Sequence, residues 1–116
     1  MKLEEVWKVL EKEFKGKAVK DDGSCAYKLS DGRKCAIGCF IPEGHEAQRS
    51  KHSITYLLNR YPKLLKHMPC IDHKLLRKFQ IFHDNKITAR ASVKEQRAAL
   101  FNHYVKLYRE YNEGNG

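Results

Sequence analysis

The sequence predicts an α+β fold, in which about four helices pack on a small antiparallel β-hairpin sheet within a single domain, residues 1–116. Three observations predict this class. Apolar residues recur at helical spacing near both ends of the chain. Short β-type segments separated by Asp-Gly turns fill residues 17–41. A chain of 116 residues is long enough for one hydrophobic core and too short for two.

The first helix is predicted over residues 2–15. Its apolar residues fall on one face and are Leu3, Val6, Trp7, Leu10 and Phe14. Gly16 stands where such a helix would end, because glycine readily adopts the left-handed conformation that follows a last turn. We expect Trp7 to belong to the core, since it lies within the apolar stripe.

A hairpin sheet is predicted over residues 17–41. Asp31-Gly32 is placed at its tip, because a type I′ turn needs positive φ at both central residues and Asp-Gly favours it. Such a turn sets Lys28 opposite Cys35. The run from Lys34 to Ile41 is expected to be the second strand of this hairpin.

Residues 47–90 are predicted to form a basic helical region interrupted by two prolines. Pro62 either kinks the first helix of this region or opens a short new one. Asp72 is the expected N-cap of the next helix, because its carboxylate can accept from the free N–H groups of a first turn. The residues expected on the buried face of that helix are Leu75, Leu76, Phe79 and either Phe82 or His83.

The terminal helix is predicted over residues 92–112 and begins at a capping box of Ser92 and Glu95. Its apolar residues form two rows, first Ala98, Phe101, Val105 and Tyr108 and second Leu100, Tyr104, Leu107 and Tyr111. A face this wide contacts two neighbours. Either both neighbours belong to the core of the same chain, or one of them is a second copy, which would make this helix a homodimer interface.

The net charge of +9 is concentrated in one part of the chain. Residues 1–46 hold nine basic and nine acidic side chains, whereas residues 47–90 hold ten basic and two acidic ones. Like charges repel and cost stability, so this concentration indicates an anionic partner. The alternative is a solvated basic face that serves only solubility.

The expected partner is nucleic acid, bound through phosphate contacts whose affinity falls with salt. The candidate binding residues are Arg49, Lys51, Arg60, Lys63, Lys66, Lys74, Arg77 and Lys78. Tyr56, Tyr61 and Phe79 lie near these charges along the chain and are candidates for stacking on bases. No helix-turn-helix, RNA-recognition or zinc-finger motif is present, so recognition of backbone or shape is expected.

Two other partners fit the same charges. The basic face could dock on an acidic protein, as an inhibitor would, or it could bind a small nucleotide signal. A membrane partner is not expected, because no apolar run approaches the about 20 residues that span a bilayer. The acidic residues within the first apolar segment argue against a secretory signal, so we expect a cytoplasmic protein.

Four cysteines without signs of secretion predict reduced thiols, and no cofactor is expected. If a structural zinc ion is present, its expected ligands are Cys25, Cys35, Cys39 and His83. A second candidate group is His67, Cys70 and His73. Otherwise the cysteines serve as small buried hydrophobic residues.

Enzymatic activity is not expected. A cysteine-dependent enzyme would pair Cys25 or Cys39 with His83 and Asp84. Reactive cysteines, however, lie at helix N-termini or other positive sites that lower the thiol pKa, and these cysteines fall in predicted strands. Catalysis therefore stands as the third hypothesis, after the nucleic-acid and acidic-protein ones.

Two stretches of the chain share a pattern with known proteins. The first contains Cys25-x-Tyr27, a short turn and the run from Cys35 to Pro42, and the second runs from Leu75 to Asp84 and ends in Gln-x-x-His-Asp. Over residues 3–41 and 75–84 the chain resembles small uncharacterised phage and prophage proteins. The resemblance implies an α+β fold and a phage-type context, and it implies no biochemical role. In that context the expected location is the cytoplasm of a host cell, and an acidic protein partner would be a host protein met by an inhibitor or counter-defence protein. It directs attention to one cluster, Cys25, Cys35, Cys39, His83 and Asp84.

Overall fold

The computed structural model of the chain is built from helices, whereas the sequence predicted a mixed fold of helices and a small sheet. It describes residues 2–17, 27–50, 53–70, 72–87 and 90–115. Their α-helices are Leu3–Glu13 (α1), Ile54–Arg60 (α2), His73–Lys86 (α3) and Val93–Asn115 (α4). Their 3-10 helices are Gly38–Phe40, Glu46–Arg49 and Pro62–His67. The described residues contain no sheet, so the predicted α+β class is wrong and the fold is built from helices.

In the described part of residues 17–41, the predicted sheet is reduced to one isolated antiparallel bridge. The bridge joins Lys28 to Lys34, whereas the sequence predicted Lys28 opposite Cys35. Gly32 has a φ of 92°, but no described residue other than glycine has a positive φ. Asp31 therefore does not adopt the conformation that a type I′ turn requires, and the pairing shifts by one residue. Residues 18–26, which include part of the predicted sheet, lie outside the described residues.

The segment from Cys35 to Ile41, predicted as a strand, forms a buried turn that contains the 3-10 helix Gly38–Phe40. Every residue of this segment is buried. The N–H of Cys39 donates to the carbonyl of Cys35 at 3.2 Å, and the thiol of Cys35 accepts the N–H of Gly38 at 3.2 Å. A short apolar run can be a buried strand or a buried helical turn, and periodicity alone does not distinguish them.

The core lies where α1 and α3 pack against α4. The rings of Phe79 on α3 and Tyr104 on α4 have centroids 5.2 Å apart, and Trp7 on α1 meets Phe101 edge to face at 5.1 Å. The second predicted row of α4 lies deepest, since Leu100 and Tyr104 are fully buried, whereas the first row is half-buried. The wide face of α4 therefore contacts two neighbours of the same chain, α1 and α3, which is one of the two alternatives that the sequence left open.

Three α-helices begin at a side-chain cap. The caps are Ser53 for α2, Asp72 for α3 and Ser92 for α4, and each accepts from an N–H of the first turn. The prediction of Asp72 as an N-cap is confirmed by a distance of 2.7 Å to the N–H of Leu75. Pro62 opens the 3-10 helix Pro62–His67 rather than kinking α2. None of the described helices is both long and apolar enough to cross a membrane.

Two helices end against cations from distant parts of the chain. The guanidinium of Arg97, on α4, donates to the carbonyl oxygens of Leu10 at 3.1 Å and Phe14 at 3.0 Å, at the end of α1. The Nζ of Lys17 donates to the carbonyl of Asp84 at 2.8 Å, at the end of α3. The carbonyl of Leu10 also accepts the N–H of Phe14 at 2.9 Å, whereas the carbonyls of Phe14 and Asp84 lie at helix ends, where no later turn of the helix supplies a backbone donor.

Candidate anion-binding surface

The predicted binding residues are exposed wherever the structure describes them. Those on α2, on the 3-10 helix Pro62–His67 and on α3 are Arg60, Lys63, Lys66, Lys74, Arg77 and Lys78. Arg49 is also exposed, but it lines a separate cavity together with Lys28 and His45. Lys51 lies outside the described residues.

Three of these cations form a stripe along α3. Lys74, Arg77 and Lys78, hereafter the α3 stripe, are spaced three and four residues apart, so they lie on one side of the helix. Ile81 continues the same line and is 44% exposed. Lys74 and Lys78 are like charges four residues apart on a helix, an arrangement that costs about 0.2–0.5 kcal/mol of helix stability.

The two acidic residues of the basic region are engaged in holding the fold. Asp72 caps α3, and the carboxylate of Asp84 accepts from Gln80 at 2.9 Å and lies 3.1 Å from the Nδ1 of His83. Within the described residues, no carboxylate lies at ion-pair distance from the α3 stripe. The stripe therefore has no ion-pair partner among the described residues, although the carboxylates of Asp72 and Glu110 line the same cavity as Lys74 and Lys78.

A groove opens between α3 and the last turns of α4, and we call it the α3–α4 groove. It consists of two adjoining cavities of about 560 Å³ and about 380 Å³. The residues that line both cavities are Asp72, Leu75 and Tyr111. Lys74 and Lys78 line the larger cavity, and Lys66 lines the smaller one. The groove thus brings together three of the predicted binding residues from two helices.

The α4 side of the groove is aromatic. Tyr108 lines the smaller cavity, Glu110 lines the larger one, and Tyr111 lines both. The Tyr111 residue is 42% exposed. Sequence analysis placed both tyrosines in the apolar rows of α4 and did not identify them as binding residues. Their place in the groove depends on where α4 passes beyond the end of the core, and spacing along one helix does not carry that information.

The three aromatic residues considered for stacking on bases differ in burial. Phe79 is fully buried against Tyr104, as its place on the apolar face of α3 predicted, so it is not available to stack on a base. Tyr61 is half-buried, and its hydroxyl donates to Glu46 at 3.2 Å, while the guanidinium of Arg60 lies 5.3 Å from its ring centroid. Tyr56 is exposed on α2 and does not line the α3–α4 groove.

The cluster implied by the resemblance is partly assembled around the end of α3. His83 is fully buried. The side chain of Gln80 donates to the carboxylate of Asp84 at 2.9 Å, and its carbonyl accepts the N–H of Ile37, in the buried turn, at 3.0 Å. The thiol of Cys35 lies in that same turn. These contacts fasten α3 to the turn. Cys25 lies outside the described residues.

The buried thiols are poorly suited to nucleophilic chemistry. Burial raises the pKa of Cys35 to about 12, and burial raises the pKa of Cys39 well above its ordinary value. A protonated thiol is a weak nucleophile and a weak metal ligand. Among the described residues, no three His, Cys, Asp or Glu side chains are placed to hold a metal ion, and this includes the group His67, Cys70 and His73.

Comparison of the chain with protein families, with curated proteins and with solved structures finds no match. Charge, burial and geometry are therefore the grounds on which a function is proposed.

Proposed function

We propose that this protein binds nucleic acid, with the α3 stripe and the lysines of Pro62–His67 contacting phosphate groups. The observation that carries the proposal is the stripe itself. It holds three exposed cations within about one and a half helical turns, and no described carboxylate pairs with them. The three cations repel one another in the free protein. This repulsion falls when phosphate oxygens take the place of water and counterions.

Contacts of this kind bind the backbone and not a base sequence. Lysine reaches a phosphate as a point charge, and each neutralised phosphate releases a counterion. We therefore expect affinity that varies little with sequence and falls steeply as salt rises. The resemblance to phage and prophage proteins supports a setting in an infected bacterial cell, where nucleic acid is abundant.

The test measures binding of labelled DNA and RNA oligonucleotides by fluorescence anisotropy at about 50 mM and about 200 mM salt. The double variant Lys74→Glu with Lys78→Glu is expected to weaken binding at least about tenfold at the lower salt and to flatten the salt dependence, because two phosphate contacts become repulsive. Lys63→Glu with Lys66→Glu tests the neighbouring 3-10 helix in the same way.

The matched control is Lys8→Glu with Lys12→Glu on α1. These two exposed lysines are also four residues apart, so the change in net charge and in helix spacing is the same. If the Lys8/Lys12 control weakens binding as much as the Lys74/Lys78 double variant does, only the overall charge matters and the α3 stripe is not the binding surface. If the wild-type protein binds no oligonucleotide at the lower salt, the proposal is wrong.

An acidic host protein is the second candidate partner, and one observation favours it. Ile81 continues the α3 stripe and is 44% exposed, and an apolar side chain among cations suits a protein surface better than a phosphate backbone. A partner of this kind would be retained after nuclease treatment and would be lost with Ile81→Ser. Loss of the captured partner on nuclease treatment would contradict the host-protein hypothesis and support nucleic acid.

A further inference from the structure

The α3–α4 groove has chemistry that phosphate contacts alone do not need. Its α3 side carries Lys74 and Lys78, whereas its α4 side carries the half-exposed ring of Tyr111 and the carboxylate of Glu110. Lys74 and Lys78 attract a phosphate backbone to the first side, where they outnumber the carboxylate of Asp72, and Glu110 repels it from the second side. A polyanion that follows the groove must therefore keep its phosphates along α3 and turn other groups toward α4.

The aromatic side of the groove is anchored in the core. Tyr104 is fully buried, and its hydroxyl donates to the carbonyl of Pro69 at 3.0 Å. The ring of Tyr108 packs against Tyr104 with a centroid distance of 6.0 Å, and Tyr104 packs in turn against Phe79. Tyr111 stands one helical turn beyond Tyr108, at the point where both cavities meet. The part of α4 that carries Tyr111 is thus held in place by the core before any ligand arrives, which lowers the entropic cost of binding.

We infer that the α3–α4 groove is a site for an unpaired nucleobase of single-stranded nucleic acid, which stacks on Tyr111 while Lys74 and Lys78 bind the flanking phosphates. This inference rests on the proposed function and specifies its substrate. A base in a duplex is stacked on its neighbours and paired, so its face is not available to a tyrosine. In a single strand every base offers a face, and stacking on an aromatic ring tolerates any sequence.

The experiment compares single strands of about 12 nucleotides, as DNA and as RNA, with a duplex of the same length by fluorescence anisotropy. The wild-type protein is expected to bind at least one kind of single strand more tightly than the duplex. Tyr111→Ala is expected to weaken single-strand binding about fivefold or more, the loss of one base–aromatic stack, and to leave duplex binding within about twofold.

Three further variants separate stacking from other effects. Tyr111→Phe keeps the ring and should retain single-strand binding, whereas Tyr111→Leu keeps apolar bulk without the ring face and should lose it. Tyr56→Ala tests the other exposed tyrosine, which the sequence also made a candidate for stacking; since it lies on α2, outside the groove, a loss of single-strand binding as large as that of Tyr111→Ala would contradict the inference. Circular dichroism spectra of the four variants check that the helical fold is intact.

The outcomes distinguish this inference from the proposed function. If Tyr111→Ala binds single strands as the wild type does, or if the duplex binds as tightly as both single strands, the inference is wrong. In that case weaker binding by Lys74→Glu with Lys78→Glu would still support the proposed function. If the wild-type protein binds neither single strands nor duplex, both are wrong.

Discussion

Gly38 lies so close to the backbone of Tyr27 that only glycine fits there. A Cβ atom at this position would lie 1.9 Å from the carbonyl oxygen of Tyr27, a distance that no atom pair of this kind tolerates. The contact presses the buried turn against the residues that follow the undescribed segment 18–26. The glycine in the Cys35-to-Pro42 pattern thus has a packing reason, which sequence analysis did not identify.

Gly38→Ala is expected to lower the free energy of unfolding by about 3 kcal/mol or more, because backbone must move to admit the methyl group. Urea unfolding followed by circular dichroism measures the change. Gly44→Ala is the control, since its Cβ would meet no atom within 4 Å and only the φ of 80° is unfavourable, at about 1–2 kcal/mol. Equal losses in the two variants would contradict the close contact.

Cys35 links stability to alkaline pH. Burial raises the pKa of its thiol from 9.0 to about 12. Below about pH 9 the thiol is protonated in both the folded and unfolded states, so its contribution to stability is fully present. As the pH rises toward 12, the unfolded chain loses this proton first and stability falls. Between pH 8 and pH 10 we expect a loss of about 1 kcal/mol from this group.

The measurement is urea unfolding at both pH values, in reductant, for the wild type and for Cys35→Ala. The variant should lose about 1 kcal/mol less than the wild type over this interval. Cys70→Ala is the comparison, because that thiol is only half-buried. An unchanged alkaline loss in Cys35→Ala would mean that the thiol ionises within the fold, and the hypothesis of a cysteine-dependent activity would then gain support.

At the scale of the element, α3 combines a structural task and a charged surface within a few residues. Asp72 caps the helix and also lines the α3–α4 groove beside Lys74. The cap stabilises the fold, whereas its negative charge opposes the approach of a phosphate. Stability and binding should therefore respond in opposite directions when this carboxylate is removed.

Asp72→Asn is expected to tighten oligonucleotide binding about twofold to fivefold at low salt, because one negative charge leaves the groove. Its stability should stay within about 0.5 kcal/mol of the wild type, since asparagine caps a helix as well as aspartate does. Asp72→Ala should show the same gain in binding but lose about 1 kcal/mol of stability. Anisotropy and urea unfolding measure the two effects, and weaker binding by Asp72→Asn would exclude the groove as an anion site.

Helices with strong local signals could be predicted from the sequence. The start of α3 at Asp72 and of α4 at Ser92 follows from cap chemistry that involves only neighbouring residues. The segment from Lys34 to Ile41 could not be predicted in this way. Its alternation and its β-type residues favour a strand, but burial on all sides and the contact of Gly38 with Tyr27 decide for a turn, and both depend on the tertiary fold.

At the scale of the whole molecule, the net charge of +9 overstates what is available to a partner. Lys17 and Arg97 are engaged at helix ends. Lys34 is buried, and although burial lowers its pKa, hydrogen bonds to Glu13 and Glu43 more than offset this and leave the pKa raised. The bias of residues 47–90 could be read from the sequence, whereas the groove that gathers part of it could not, because it forms only when α3 meets α4.

The guanidinium of Arg97 reaches back 87 residues along the chain to the carbonyl of Leu10. During synthesis, α1 therefore leaves the ribosome long before the group that completes its end exists. The contact of Trp7 with Phe101 likewise cannot form until Phe101 has been synthesised. Contacts between such distant residues slow folding, because a long loop must close before they form. The nascent chain thus lacks its closed core until most of the last helix has emerged, and during that interval its apolar surfaces are exposed to aggregation.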